Sequence, residues 1–345
     1  MVLPRTVLNS NGMGMVTSLF AHKMAAAAGP TVDRAALLRT AGIDAAAPPD
    51  PAFMISDERY YDMIEAIAVQ IDATDLPLRT GASMRCDDYG ALGLAWKAAP
   101  DLIGSFSRVA RFARLWTSVV EYHYKTDGDL TVYTLEREGP ARLGLHLSNE
   151  ASLASGVALA REVSTQPFAP VEVHFQHQAP NSTQAHETYF GCPVRFNAGQ
   201  NALIMSTAAL SVPNRLGDEG ITCFLLTHLE AALSQVPDDT LKSRTKEAIA
   251  RALSDGLPKM TDIALGLGLS ARSFHRRLSD HGLTFQSLTD ETRRELAEGL
   301  LRDDTYSLAD IAFLSGFSDQ SAFTRAFKRW VGMPPAQYRK NAQGS

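Results

Sequence analysis

"SGFSDQSAFTRAFKRWVGMPPAQYRK", residues 315–340, interleaves bulky apolar residues with cations at helical spacing, inside a chain whose formal net charge is -5. At about 100° per residue, Ala322, Phe323, Ala326, Phe327 and Trp330 share one arc of a helix, and Ser321, Thr324, Arg325 and Lys328 the opposite one. Gly316 stands where a preceding helix must end in a sharp turn, which a residue without Cβ makes at least steric cost. Ser318 or Asp319 then offers an oxygen to the free N–H groups that open the next helix. The stretch therefore predicts a helix-turn-helix in which aromatics anchor the second helix and its polar face is free to enter a DNA major groove.

Working back along the chain, the pattern occurs twice. "DIALGLGLS" (262–270) and "DIAFLSGFS" (310–318) share Asp-Ile-Ala and then a Gly, an apolar residue and a Ser at the same offsets. With one extra residue in the second turn, Phe274 aligns with Phe323, Arg276 with Arg325 and Leu278 with Phe327. In the first copy Ala271, Phe274 and Leu278 form the buried stripe, Arg272, Arg276 and Ser279 point away, and His275 lies on the flank. One copy alone would also describe an ordinary amphipathic helix pair with a solvated face. Two copies with matching turns argue for a doubled helix-turn-helix, spanning about 261–281 and 308–330. Between them "TFQSLTDETRRELAEGLLRDD" (284–304) reads as a longer helix, with Phe285, Leu288, Leu296 and Leu300 placed to pack on both units. Rigidly linked reading helices suit adjacent major grooves on one face of a duplex, about 34 Å apart.

Charge points the same way. From residue 240 onward there are 16 Lys+Arg against 12 Asp+Glu, whereas the first 239 residues carry 17 against 26. A basic carboxyl-terminal third on an acidic body is the footprint of a polyanion-binding module.

Upstream, the fold class expected is α+β, followed by the all-α domain. "AALLRTAG", "DERYYDMIEAIAVQID" and "LIGSFSRVARFARLWTSVVEYHY" read as helices. In the last, Ile103, Phe106, Val109, Ala110, Ala113 and Trp116 form the apolar stripe, and Arg108, Arg111 and Arg114 a solvated face. "GDLTVYTLERE" and "ARLGLHLSNE" alternate as a β-hairpin, "SLASGVALAREVSTQ" follows as a helix, and "VEVHFQH" reads as a strand with Val171, Val173 and Phe175 on one face. "NALIMSTAAL" is a further strand and "CFLLTHLEAALSQ" a closing helix. "VPDDT" (236–240) marks the boundary, which gives a first domain over 1–235, a linker over 236–241 with Asp239 or Thr240 as cap, and a DNA-binding domain over 242–341.

Several classes are excluded or disfavoured. No window approaches the roughly 18 to 20 apolar residues of a membrane span, and "MVLPRTVLNSNGMGMV" lacks the apolar core and cleavage site of a secretory signal, so no membrane partner is expected and the address is cytoplasmic, nucleoid-associated. Cys86, Cys192 and Cys223 are too far apart for a zinc knuckle or a disulfide framework. His174, His177 and His186 with Glu172 and Glu187 invite a metal, yet strand alternation sends His174 and His177 to opposite faces, so structural roles are expected and no cofactor. No nucleophile elbow, P-loop or carboxylate pair supports an enzyme.

Residues 242–341 resemble the DNA-binding domain of the AraC/XylS family of bacterial transcription regulators. "IAFLSGFSDQSAFTRAFKRWVGMPPAQYRK" follows the family signature, including Gly316, Phe317, Phe323, Arg325, Phe327, Gly332, Pro334, Pro335 and Tyr338. The resemblance implies base-facing residues Arg272, His275 and Arg276 in the first unit, and Gln320, Ser321 and Arg325 in the second; Gln320 enters on resemblance alone. "VEVHFQHQAPNSTQAHETYFGCPVRFNAGQNALIMSTAAL" resembles the arabinose-binding-like effector domain of the subgroup that includes ornithine-utilisation and virulence regulators. That implies a domain that senses a small molecule or dimerises. The expected partners are double-stranded promoter DNA, a small carboxylated effector (a fatty acid or an amino acid), a second copy of the chain and, for an activator, RNA polymerase. Arg85, Trp96, Lys97, Trp116, Tyr122 and Tyr124, cations and aromatics in the middle of the first domain, are the effector candidates. A constitutive dimeric DNA-binding protein without a ligand is the competing reading.

Overall fold

A computed structural model describes residues 14–47, 49–137, 139–236, 241–253, 256–280, 282–302 and 305–343. The chain divides into two compact units, Met1–Val236 and Pro237–Ser345. The linker expected at 236–241, with its caps Asp239 and Thr240, lies for the most part outside the described residues, as does most of the stretch read for a secretory signal.

The first unit mixes helices with two sheets. Strands β1 (Met15–Thr17) and β2 (Met54–Ser56) form a short antiparallel pair. A five-stranded sheet follows from β3 (Val120–Asp127), β4 (Leu130–Arg137), β5 (Glu172–His174), β6 (Val194–Arg195) and β7 (Asn201–Ser206), in the order β3-β4-β7-β5-β6. All neighbours run antiparallel except β5 and β6. Gly128, at φ 58°, sits in the first central position of the two-residue loop joining β3 to β4, where a hairpin needs a left-handed residue.

The hairpin differs from the expected one. "ARLGLHLSNE" is not a strand; it opens the helix Leu143–Val163, the longest of the unit, and β4 pairs instead with residues read as the end of a helix. The helix expected over 102–124 stops at Phe112, passes through a 3-10 turn at Ala113–Leu115 and continues as β3, whose "VEYHY" is rich in β-formers. Arg108 is buried rather than solvated: its guanidinium donates to the carbonyl of Ala95 and, at 3.2 Å, to Thr222 Oγ1. Val171 is 47% exposed while Val173 and Phe175 are fully buried, because only Glu172–His174 keeps strand geometry. "NALIMSTAAL" is a strand only to Ser206, whose side chain caps the short helix Thr207–Leu210.

The helix Leu143–Val163 organises the core because small residues let its neighbours come close. A Cβ on Gly81, in the helix Leu76–Ser83, would lie 2.4 Å from Ala154 Cβ. One on Gly144 would lie 2.5 Å from the carbonyl oxygen of Tyr61, in the helix Asp57–Ala68. Leu145, Leu147, Leu153, Val157 and Val163 are buried, and so are Ser148, Asn149, Glu150 and Ser155, so the helix is enclosed nearly all round and shows no single apolar stripe.

The second unit is helical among its described residues: Leu241–Ala252, Met260–Gly266, Ala271–Asp280, Phe285–Leu301, Leu308–Leu314, Gln320–Val331 and Pro335–Gln343. It has two apolar cores. Ile249, Leu253, Ile263, Phe274 and Leu278 form one, and Ile311, Ala312, Phe323 and Phe327 the other. The helix Phe285–Leu301 enters both, giving Leu288, with Phe285 and Leu296 at its edge, to the first and Ala297 and Leu301, with Leu300 at its edge, to the second. That is the bridging role expected from the sequence.

Candidate nucleic-acid interface and ligand cavity

Each helix-turn-helix is closed by the same backbone turn. Gly268 (φ 74°) and Gly316 (φ 71°) adopt the left-handed conformation. Their N–H groups donate to the carbonyls of Leu265 and Phe313, at 3.0 and 2.9 Å, and the next residues, Leu269 and Phe317, donate to Ala264 and Ala312, each at 2.9 Å. These paired bonds define a Schellman motif. The following helix is capped by Ser270 Oγ, which accepts from Ser273 N–H at 3.2 Å, and in the second unit by Asp319 Oδ1, which accepts from Ala322 N–H at 2.8 Å. Of the two caps offered by the sequence, Asp319 takes the role, and Ser318 is the extra residue of the second turn.

The two reading helices expose the predicted polar faces. Arg272, His275 and Arg276 are exposed while Phe274 and Leu278 are buried beneath them. Gln320, Ser321, Arg325 and Lys328 are exposed over buried Phe323, Ala326 and Phe327; Thr324 is half-buried, its hydroxyl donating to the carbonyl of Gln320 at 2.8 Å. Among the described residues, none of Arg272, His275, Arg276, Arg325 and Lys328 is held in an ion pair. The charges of Arg272, Arg276, Arg325 and Lys328 stay available to an anionic partner.

One structural arginine was not read from the sequence. Arg293, on the bridging helix and only 7% exposed, donates from Nε to the carbonyl of Ser315 (2.8 Å) and from Nη2 to that of Gly316 (3.1 Å). Its guanidinium carbon lies 3.6 Å from the centroid of the Phe317 ring. One side chain thus pins the second turn by hydrogen bonds and cation–π contact. The available signal was its spacing, four residues from buried Thr289 and from buried Ala297.

In the first unit the effector candidates separate. Trp96, Trp116 and Tyr122 line one narrow cavity of about 60 Å³. The others lie elsewhere: the guanidinium of Arg85 caps the carbonyls of Ala82 and Met84, Lys97 pairs with Asp87 (2.6 Å) and Glu162 (3.2 Å), and Tyr124 is 49% exposed. Arg137, which the sequence reading passed over, stands in the wall of this cavity and also of an open cleft of about 850 Å³. Strand alternation carried the signal, since Tyr133, Leu135 and Arg137 share the core-facing side of β4.

The cleft also holds a buried acid between two imidazoles. Glu150 accepts from His177 Nε2 at 2.8 Å and from His186 Nε2 at 2.7 Å, and His146 stacks on His177. Burial pushes the Glu150 carboxyl up, but the two histidine bonds outweigh it and hold the pKa below the ordinary 4.5. His174 takes no part; it pairs with Glu172 at 2.8 Å. Among the described residues no group of three or more His, Cys, Asp or Glu is arranged to hold a metal ion. Of the cysteines, Cys86 is buried and its thiol pKa pushed well up, mainly by burial, Cys192 is raised to about 11, and Cys223 is exposed.

Known proteins place this arrangement. Residues 32–214 match the family described as the arabinose-binding domain of AraC transcription regulator, N-term, and residues 263–341 match the helix-turn-helix domain. The ornithine utilization regulator of Pseudomonas aeruginosa is 26% identical over 266 residues, 77% of this chain and 78% of that protein. The HTH-type transcriptional regulator VirS of Mycobacterium tuberculosis is 26% identical over 301 residues, 84% of this chain and 85% of its own. The crystal structure of transcriptional regulator CdpR from Pseudomonas aeruginosa covers 88% of this chain and 96% of its own at 19% identity, with a TM-score of 0.44. No described helix is long and apolar enough to cross a membrane. With an arabinose-binding-like body and a doubled helix-turn-helix, this chain is a DNA-binding transcription regulator of the AraC family.

Proposed function

We propose that the chain is a one-component regulator whose promoter binding is controlled by a small molecule taken up in the first unit. Arg272, His275 and Arg276 read one half of the site and Gln320, Ser321 and Arg325 the other, about one helical turn away, while Thr324 and Lys328 meet the DNA backbone. The observation that carries this reading is the repeated Schellman turn followed each time by a helix with a buried apolar stripe and an exposed face carrying arginine. DNase footprinting on a promoter selected from the source genome tests it. Arg276→Ala should relax base preference in one half of the footprint and Arg325→Ala in the other; a footprint altered by neither removes the assignment. Such a protein works in the cytoplasm on the nucleoid and, as an activator, meets RNA polymerase there.

A second reading, a constitutive dimer without ligand, has one observation in its favour. Ile221 and Phe224, on the helix Glu219–Leu233, are 53% and 72% exposed, an apolar face suited to a second copy. Sedimentation with Phe224→Glu, together with promoter occupancy measured with and without a low-molecular-weight cell extract, separates the two readings.

A further inference from the structure

We propose that the first unit binds an apolar carboxylic acid, its carboxylate on Arg137 and its hydrocarbon in the aromatic cavity beside it. The proposal rests on the effector reading above and names the chemistry of the ligand. The cavity lies among side chains of the sheet, of the helix Leu102–Phe112 and of the helix Leu143–Val163, with Trp96, Phe106, Trp116, Tyr122 and Tyr133 in its walls. Protein cores are close-packed, so an aromatic-walled void of about 60 Å³ marks a place shaped to admit something. Trp96 is 2% exposed, and its indole N–H finds no acceptor among the described residues.

Arg137 supplies the charge. It donates from Nε to Asn149 Oδ1 at 2.6 Å, from Nη1 to Tyr61 Oη at 3.3 Å and from Nη2 to Ser152 Oγ at 3.1 Å. All three acceptors are neutral. Asp57 is near enough to feel the cation, but no ion pair joins them. A guanidinium has five N–H donors in a fork that matches a carboxylate, so this half-buried one retains donors, and among the described residues no ion pair holds its charge. Because it borders both the cavity and the open cleft, an acid arriving through the cleft would meet Arg137 first and pass its chain inward. The cavity wall contains this one cation and no Asp or Glu. The acids near Arg137, Asp72 and Glu150, line the cleft and not the cavity, so an ammonium carried inward on the chain, as in ornithine, would find no counter-charge among the described residues of the cavity wall.

Calorimetry and thermal unfolding of the full chain with butyrate, hexanoate and octanoate test this, with the alcohol of equal length beside each acid and L-ornithine as the amino-acid probe. The acids should bind and raise Tm with occupancy, and the alcohols should bind at least about tenfold more weakly, the loss of a charge-assisted pair. Arg137→Gln should bring the acid down to the level of the alcohol, and Arg137→Lys should restore part of the difference. Gly156→Leu should abolish binding by filling the cavity, since a Cβ there meets only Phe106 at 3.6 Å and Leu203 at 3.9 Å, ordinary contact distances. Should a variant fail to fold, the preference of the unaltered chain for acid over alcohol decides alone. No response to any acid, an equal response to acid and alcohol, or tighter binding of ornithine would overturn the proposal. Footprinting of the same samples separates it from the regulatory reading. An acid bound through Arg137 that leaves promoter occupancy unchanged supports the site and removes the control. Occupancy that responds to another small molecule while the acids leave Tm unchanged overturns the site and keeps the control.

Discussion

Single side chains divide here into exposed cations proposed to read DNA and buried ones that hold others in place. Arg276 and Arg325 are exposed and in no ion pair among the described residues, and a bidentate arginine would discriminate its guanine by about 1 to 3 kcal/mol. Arg293 is buried and already committed to Ser315, Gly316 and Phe317, so its loss should act through the second turn. Arg293→Ala is expected to destabilise that unit by roughly 2 to 3 kcal/mol, because two carbonyls lose charged partners. Footprinting should then show protection weakened in one half of the site and kept in the other; uniform weakening would contradict the positioning role. In the first unit, Glu150 offers a pH test. Its pKa is depressed on folding by His177 and His186, so its contribution is present above the unfolded carboxylate value and lost as pH falls through the folded one. Glu150→Gln should lower the urea midpoint near neutrality, and the gap to the parent chain should close only below about pH 4. A gap that persisted unchanged to about pH 3 would show that the charge is not what matters.

At the scale of elements, the two helix-turn-helix units share a turn but not its surroundings. A Cβ on Gly268 meets nothing within 4 Å, whereas one on Gly316 would lie 2.9 Å from Leu253 Cδ2. Both glycines hold positive φ, so alanine at either should cost about 1 to 2 kcal/mol for the left-handed backbone. Gly316→Ala should cost measurably more than Gly268→Ala in chemical denaturation, since it also displaces Leu253 from the first core; equal losses would mean that Leu253 yields freely. Asp319→Ala removes the cap of the second reading helix and should cost about 1 kcal/mol. The sequence legibly marked both turns, both caps and both aromatic stripes, because those are contacts between neighbours in the chain. For Arg293 and Arg137 its spacing marked only the inward face, since their partners lie 12 or more residues away along the chain.

For the DNA-binding unit as a whole, the bridging helix is the feature with the widest consequence. Leu288 is buried in one core, and Ala297 and Leu301 in the other, which ties the two reading helices to a single rod. Half-sites should then be bound only in a fixed rotational phase. Inserting about half a helical turn of DNA between them should abolish simultaneous protection, and inserting a full turn should not restore it, because the rod spans only one spacing. Equal protection at both insertions would show that the units move independently. Affinity should also fall steeply with salt, and Lys328→Ala should reduce the slope of log affinity against log salt by about 1 without changing base preference.

By itself, the sequence determined the doubled helix-turn-helix, its exposed cations, the bridging helix and the family, since each is written in spacings of three to five residues or in a repeat about 48 residues long. The tertiary structure alone decided that "LGLHLSNE" is helix, that "VEYHY" is strand, that Arg108 is buried and that Trp96, Trp116, Tyr122 and Arg137 meet around one cavity. For the helix the physical reason is burial: a segment surrounded by protein loses the periodic contrast between core and solvent that local pattern depends on. For β3, a partly exposed edge strand, the reason is pairing with β4, a partner that local pattern does not show.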